Sequence, residues 1–106
     1  MTERDLQSAA VDLAHLFGYK VAHFRPARTS RGWRTPVEAD GKGFPDLLLI
    51  KGTQIKVREL KAGKNKLAPE QRDWLAAFEA VGIDAGVWTE ADLPDGIVED
   101  LRGNVR

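Results

Sequence analysis

The chain has 106 residues, enough to bury one core and too few for a second, so a single domain spanning 1–106 is expected. Apolar residues make up 42% of it and 16 basic residues balance 16 acidic ones, which excludes a disordered polyion. No cysteine is present, which excludes disulfides, thiolate zinc sites and cysteine nucleophiles; with no membrane-length apolar run and no signal-peptide form in Met1 to Asp5, the protein is expected in the cytoplasm.

Thr2 with Asp5 three residues on suits a helix N-cap, and Leu6, Ala9, Ala10, Leu13, Leu16 and Phe17 recur at helical spacing. A first helix from about Glu3 to Phe17 follows, ended by Gly18. Tyr19 to Phe24 reads as a strand. Arg25 to Phe44 holds Pro26, Gly32, Pro36, Gly41 and Gly43 with no sustained period, so a long basic loop is expected there. Asp46 to Lys51 and Gln54 to Leu60 are strand-like, and Gly52-Thr53 between them suits a two-residue hairpin turn. Lys61 to Lys66 is a basic, glycine-containing connection. Pro69 then opens a helix that carries Trp74, Leu75, Phe78 and Val81 inward until Gly82. Ile83 to Trp88 reads as a short strand, and Thr89 with Asp92 caps a last helical segment interrupted by Pro94 and Gly96. The order α-β-β-β-α-β-α, with the Pro69 to Val81 helix as a crossover, predicts an α/β (α+β) domain in which helices flank a mixed sheet.

The neutral total hides an asymmetry. Lys20, Arg25, Arg28, Arg31 and Arg34 follow one another without an acid, and Lys51, Lys56, Arg58, Lys61, Lys64 and Lys66 face only Glu59. From Glu79 to Asp100 every charge is negative. Such polarity suits a polyanion binder with a solvated rear face, as well as an ordinary charged surface. Within the long loop, Arg25, Arg28, Arg31 and Arg34 fall at every third position with Trp33 among them. They read as a basic arm that orders on a phosphate backbone, with Trp33 stacking on an unpaired base; a solvated loop is the plainer alternative.

The hairpin carries the chemistry. A two-residue turn at Gly52-Thr53 makes cross-strand partners sum to 105, which sets Asp46 opposite Glu59 and puts Lys61 on the same face, together with Leu48, Ile50, Ile55 and Val57. Two carboxylates about 5 Å apart repel by roughly 3 kcal/mol at an effective dielectric of 20, and a divalent cation compensates economically. Lys61 beside it is placed to orient or deprotonate an attacking water and to steady charge on phosphorus. The alternative is a surface hairpin whose carboxylates each pair with a lysine.

Pro45-Asp46 followed by Glu59-Leu60-Lys61 matches the PD-(D/E)xK nuclease signature. Its surroundings are Gly43-Phe44-Pro45-Asp46-Leu47, Glu59-Leu60-Lys61-Ala62, Leu67-Ala68-Pro69-Glu70-Gln71-Arg72-Asp73-Trp74-Leu75, Gly82 and Val87-Trp88. With the leading helix holding Glu3 and Gln7, these resemble the stand-alone VRR-NUC domains common in bacteriophages, over nearly the whole chain. The resemblance implies a restriction-endonuclease-like fold and a DNA endonuclease that hydrolyses phosphodiester bonds with Mg²⁺ or Mn²⁺. It implies metal binding by Asp46, Glu59 and the backbone carbonyl of Leu60, a catalytic Lys61, and Glu3 reaching the site directly or through water. It further implies structure selectivity like that of Holliday-junction resolvases, and a homodimer. Ala68 departs from the serine that similar sequences often place as N-cap, which weakens the helix start by about 1 kcal/mol.

Gln71, in the first turn of its helix, is a candidate nucleotide contact, with helix-end hydrogen bonding as the alternative. Lys64 and Lys66 are candidates for flanking phosphates or plain turn lysines. His23 reads as a hydrogen-bonded histidine, His15 as helix surface, Trp74 and Trp88 as core. Two other functions fit the same residues: a branched-DNA-binding module that does not cut or cuts only with a partner, and a small structural domain whose carboxylates hold a stabilising cation.

Overall fold

A computed structural model describes residues 1–24 and 39–103, together with the backbone of 27–29 and 32–34. Helix α1 (Glu3–Leu16) starts at a capping box in which the Thr2 hydroxyl accepts from the Asp5 N–H and the Asp5 carboxylate accepts from the Thr2 N–H. Strand β1 (Lys20–His23) follows, then two short strands, β2 (Ala27–Thr29) and β3 (Gly32–Arg34). The hairpin strands are β4 (Leu47–Lys51) and β5 (Gln54–Lys61); helix α2 (Pro69–Ala80) crosses to β6 (Asp84–Thr89), and a 3-10 turn at Glu90–Asp92 leads into α3 (Asp95–Arg102).

The main sheet has the order β1-β4-β5-β6, antiparallel except for the parallel β5–β6 pair that the α2 crossover permits. The expected α+β order is present. One expectation needs correction: the segment read as a loop from Arg25 to Phe44 contains an antiparallel pair, with Ala27 opposite Arg34 and Arg28 opposite Trp33. Glycine and proline hid it, because three-residue strands are too short to show a period.

Register follows from the turn. Lys51 pairs with Gln54, Ile50 with Ile55 and Leu47 with Arg58, all summing to 105. Gly52 holds φ +59 there, the left-handed conformation a tight turn requires. Because side chains alternate across a pleated strand, β4 and β5 divide into two faces. Leu47, Leu49 and Leu60 turn toward α1 and α3, and close a core with Leu6, Ala10, Ala14, Tyr19, Trp88, Ile97 and Leu101. Asp46, Val57, Glu59 and Lys61 turn the other way, toward α2. That second face is less covered than the hydrophobic pattern implies: Val57 is buried, but Ile50 is 41% exposed.

α2 departs from its predicted packing in one place. Leu75 is buried and Trp74 and Phe78 are half-buried against Phe44, with ring centroids 5.0 and 5.8 Å from it, but Val81 at the helix end is exposed.

The charge asymmetry is also reinterpreted. Lys56 and Arg58 are 2% and 4% exposed, on the core-facing side of β5. Lys56 Nζ reaches Asp84 at 2.8 Å and Asp100 at 3.3 Å, Arg58 donates to both carboxylates at 2.9–3.0 Å, and Trp88 Nε1 donates to Asp100 Oδ2 at 2.7 Å. Burial opposes the Lys56 charge, but the hydrogen bond and charge of Asp84 and the charge of Asp100 outweigh it and raise its pKa. These two cations therefore cancel two charges of the acidic stretch inside the fold and are not part of a basic face.

Candidate active site

The site forms where β4 begins and β5 ends, one position beyond the last paired residues, Leu47 and Arg58. Asp46 stands just before β4, with its backbone carbonyl accepting from the Phe24 N–H at 3.1 Å and its Oδ2 accepting from the Leu60 N–H at 2.8 Å. The carboxyl group is thus tied to the strand that carries Glu59 and Lys61. Glu59 is 2% exposed. Its Oε2 accepts from Gln71 Nε2 at 3.0 Å and lies 3.3 Å from Lys61 Nζ, while its Oε1 is buried without a hydrogen-bond partner.

An orphaned carboxylate oxygen in a buried site is costly unless something meets it. Burial, then the adjacent Asp46 charge, pushes the Glu59 carboxyl up to about 8, with Lys61 pulling the other way. Burial likewise raises Asp46, opposed by its bond from Leu60, with the Glu3 charge adding to the rise. Both carboxyls are held in a state that favours a proton or a cation. Among the described residues no three His, Cys, Asp or Glu side chains form a closed metal cluster. The donor set, two carboxyls with the buried Glu59 Oε1 unmet, suits Mg²⁺ or Mn²⁺, which take one or two carboxylates and keep waters, rather than the closed tetrahedral set of structural zinc.

Glu3, predicted to reach the site, comes from the first turn of α1 and accepts a hydrogen bond from Asn65 Nδ2 in the β5–α2 connection. Asn65 carried no sequence signal, since the contact spans 62 positions. Lys64 and Lys66 flank it, exposed. One turn along α1, buried Gln7 meets His23 Nδ1 at 3.2 Å, in keeping with a hydrogen-bonded histidine.

Gln71 has both ends of its amide engaged. Its Oε1 accepts from the Ala68 N–H at 2.8 Å, supplying half of a capping box that the Ala68 methyl cannot complete, and its Nε2 holds Glu59. The missing serine cap is thereby offset, and the helix-end bond expected as the alternative for Gln71 is present and also positions a site carboxylate. Arg25 and Arg31 lie outside the described residues; Arg28, Trp33 and Arg34 lie on β2 and β3, where only the backbone is described.

Sequence reasoning also missed Gly43. It holds φ +84, and a Cβ there would stand 2.7 Å from the carbonyl carbon of Glu70 and 2.9 Å from the Gln71 nitrogen. Only glycine lets the chain before Asp46 lie against the start of α2. Gly43→Ala is expected to push that helix start away, loosen Gln71 from Glu59 and destabilise the fold by about 1–3 kcal/mol. Chemical denaturation checks it, with a loss below about 0.5 kcal/mol arguing that α2 adjusts freely.

Residues 5–91 match the family model of the VRR-NUC domain. No curated protein matches the chain.

Proposed function

Because the chain belongs to the VRR-NUC domain family, a family of nuclease-type, DNA-binding domains, we propose that it is a metal-dependent DNA endonuclease that hydrolyses phosphodiester bonds and prefers branched DNA. The observation that carries the reading is Glu59, buried against Asp46 with Oε2 occupied by Gln71 and Lys61 and Oε1 unmet. Asp46, Glu59 and the Leu60 carbonyl would hold Mg²⁺ or Mn²⁺, with Glu3 joining directly or through water. Bound there, the ion would acidify an attacking water and draw charge from the scissile phosphate.

The chain's own residues do the rest. The backbone N–H of Leu60 fixes one oxygen of Asp46, and Gln71 fixes one of Glu59, so both carboxyls present their remaining oxygens in set directions. Lys61, 14% exposed, holds its ammonium where it steadies the attacking water and charge developing on phosphorus. Lys64, Lys66 and the Arg25 to Arg34 arm would take flanking phosphates, and a homodimer would set two such sites against symmetric strands. A cleavage panel of four-way junctions, flaps, nicked and linear duplexes, with Mn²⁺ and with chelator, tests this. Cleavage of the branched substrates only with metal is expected. Salt-sensitive binding with no cleavage would leave a DNA-binding module, and neither would leave a structural domain.

The raised carboxyls give a readout that needs no DNA. In the unfolded chain Glu59 and Asp46 titrate near their ordinary values of 4.5 and 3.8. The folded state therefore binds more protons than the unfolded one between those values and about 8 for Glu59. The contribution is fully present below the ordinary values and is lost as pH rises through the raised ones, so the metal-free chain weakens toward alkaline pH. A cation replaces the departing protons. Scanning fluorimetry should show Mn²⁺ raising the melting temperature by several degrees at about pH 8.5 and little at about pH 6. Equal shifts at both would place the ion elsewhere.

A further inference from the structure

At the far end of the hairpin from the carboxyl pair is a groove of about 470 Å³ between the β4–β5 turn, the end of α1 and the end of α3. Two cations line it, Lys51 and Arg102, with Tyr19, Phe17 and the turn residues Thr53 and Gln54. Lys51 Nζ sits 5.6 Å from the centroid of the Tyr19 ring, and the Arg102 guanidinium 5.8 Å from that of Phe17. Tyr19 is itself fixed, 4% exposed, with its hydroxyl donating to the Leu101 carbonyl at 2.7 Å. Among the described residues no carboxylate lines the groove and neither cation has an ion pair.

The contrast with Lys56 and Arg58 decides what this can do. Those cations meet carboxylates and are cancelled. An aromatic ring instead orients a cation through its quadrupole and leaves the full charge for another partner. Two long side chains held in advance also lose less freedom when an anion arrives. We propose that this groove is a second nucleic-acid site, one whose two cations clamp two adjacent backbone phosphates of the DNA whose scissile bond lies at Asp46 and Glu59. Five residues of strand separate Lys51 from Asp46, about 17 Å at 3.3–3.4 Å per residue, and the odd separation sets the two side chains on opposite faces of the sheet. The DNA therefore passes round the turn end of the sheet to reach the clamp, which meets it more than about five nucleotides from the cut at 3.4 Å of rise per nucleotide. It rests on the nuclease reading for the identity of the polyanion, and on the groove alone for its position.

The experiment is DNA binding in chelator, by fluorescence anisotropy across about 50 to 200 mM salt, for the wild type, Lys51→Glu/Arg102→Glu and Lys51→Gln/Arg102→Gln. Two lost phosphate contacts should flatten the slope of log K against log salt by about 1.8 in the glutamine pair, so that the wild type loses about tenfold more affinity over that range. The glutamate pair should bind more weakly still, and both should melt with the wild type because the substituted side chains are exposed. An unchanged slope in folded variants, with salt-sensitive binding by the wild type, overturns the clamp and leaves the nuclease reading standing. Absence of salt-sensitive binding by the wild type overturns both. Calorimetry with inorganic phosphate forms the last arm: millimolar or tighter binding that both pairs abolish, without a change in the DNA slope, would make the groove a small-anion site and overturn the proposal.

Discussion

Asp46→Asn is expected to abolish DNA cleavage and, at the same time, to stabilise the metal-free chain above neutral pH. The amide keeps an oxygen for the Leu60 N–H, so the bond that ties the start of β4 to β5 survives. On the nuclease reading what disappears is one of the two anionic ligands proposed for the metal, and losing several kcal/mol of charge stabilisation corresponds to a rate lower by about 10³-fold or more. The like charge that helps to raise Glu59 disappears with it. Glu59 then titrates below about 8, and less of the fold's stability is lost as pH rises. The paired measurement is discriminating, since a variant that merely misfolds loses activity and stability together. Cleavage within tenfold of wild type would remove Asp46 from the chemistry. Lys61→Ala tests the lysine separately, with an expected loss of about 10²–10³-fold in turnover and intact DNA binding.

The second large effect lies on the opposite face of the sheet. Asp100→Ala removes the acceptor shared by Lys56, Arg58 and Trp88 Nε1. Lys56 and Arg58 cannot reach water without rearrangement, and Asp84, 44% exposed, is the carboxylate left to them. Breaking a buried ion network by removing one partner costs about 3–5 kcal/mol, and the remaining Asp84 puts the expectation at about 3 kcal/mol, a large share of a small domain's stability. Asp100→Asn, which retains an acceptor for the indole, should lose less. Urea unfolding measures both; a loss under about 1 kcal/mol for the alanine would mean that water enters and solvates the cations. Any nuclease activity that remains measurable below the melting temperature should be unaltered in rate.

The hairpin was legible because its determinants are local. Gly52-Thr53 fixes the turn, the turn fixes the register, and the register brings Asp46 to the end of β5, where it bonds the Leu60 N–H between Glu59 and Lys61. The capping box of α1 and the crossover at Pro69 are likewise short-range signals. Contacts between distant positions were not legible. Nothing near Lys56 or Arg58 announces Asp84 and Asp100, and alternation alone does not say which face of β5 is the better buried. The apolar residues near Asp46 did not show that its face is the less covered one, with α1 and α3 closing the core on the other. Gln71 showed a helix start but not a bond across 12 positions to Glu59. The β2–β3 pair failed for a different reason, since its strands are too short for any periodic signal.

The alternation of β5 makes it two interleaved messages in one strand. Lys56, Arg58 and Leu60 speak to folding; Val57, Glu59 and Lys61 speak to the site. Substitutions can therefore rewrite either message alone, and a search for hardier variants has the apolar core positions to work with. A single-residue insertion or deletion has no such freedom. Shifting the frame by one would carry Glu59 and Lys61 into the apolar core and Arg58, on insertion, or Leu60, on deletion, into the place of the site carboxylate, so both messages would become unreadable in one step.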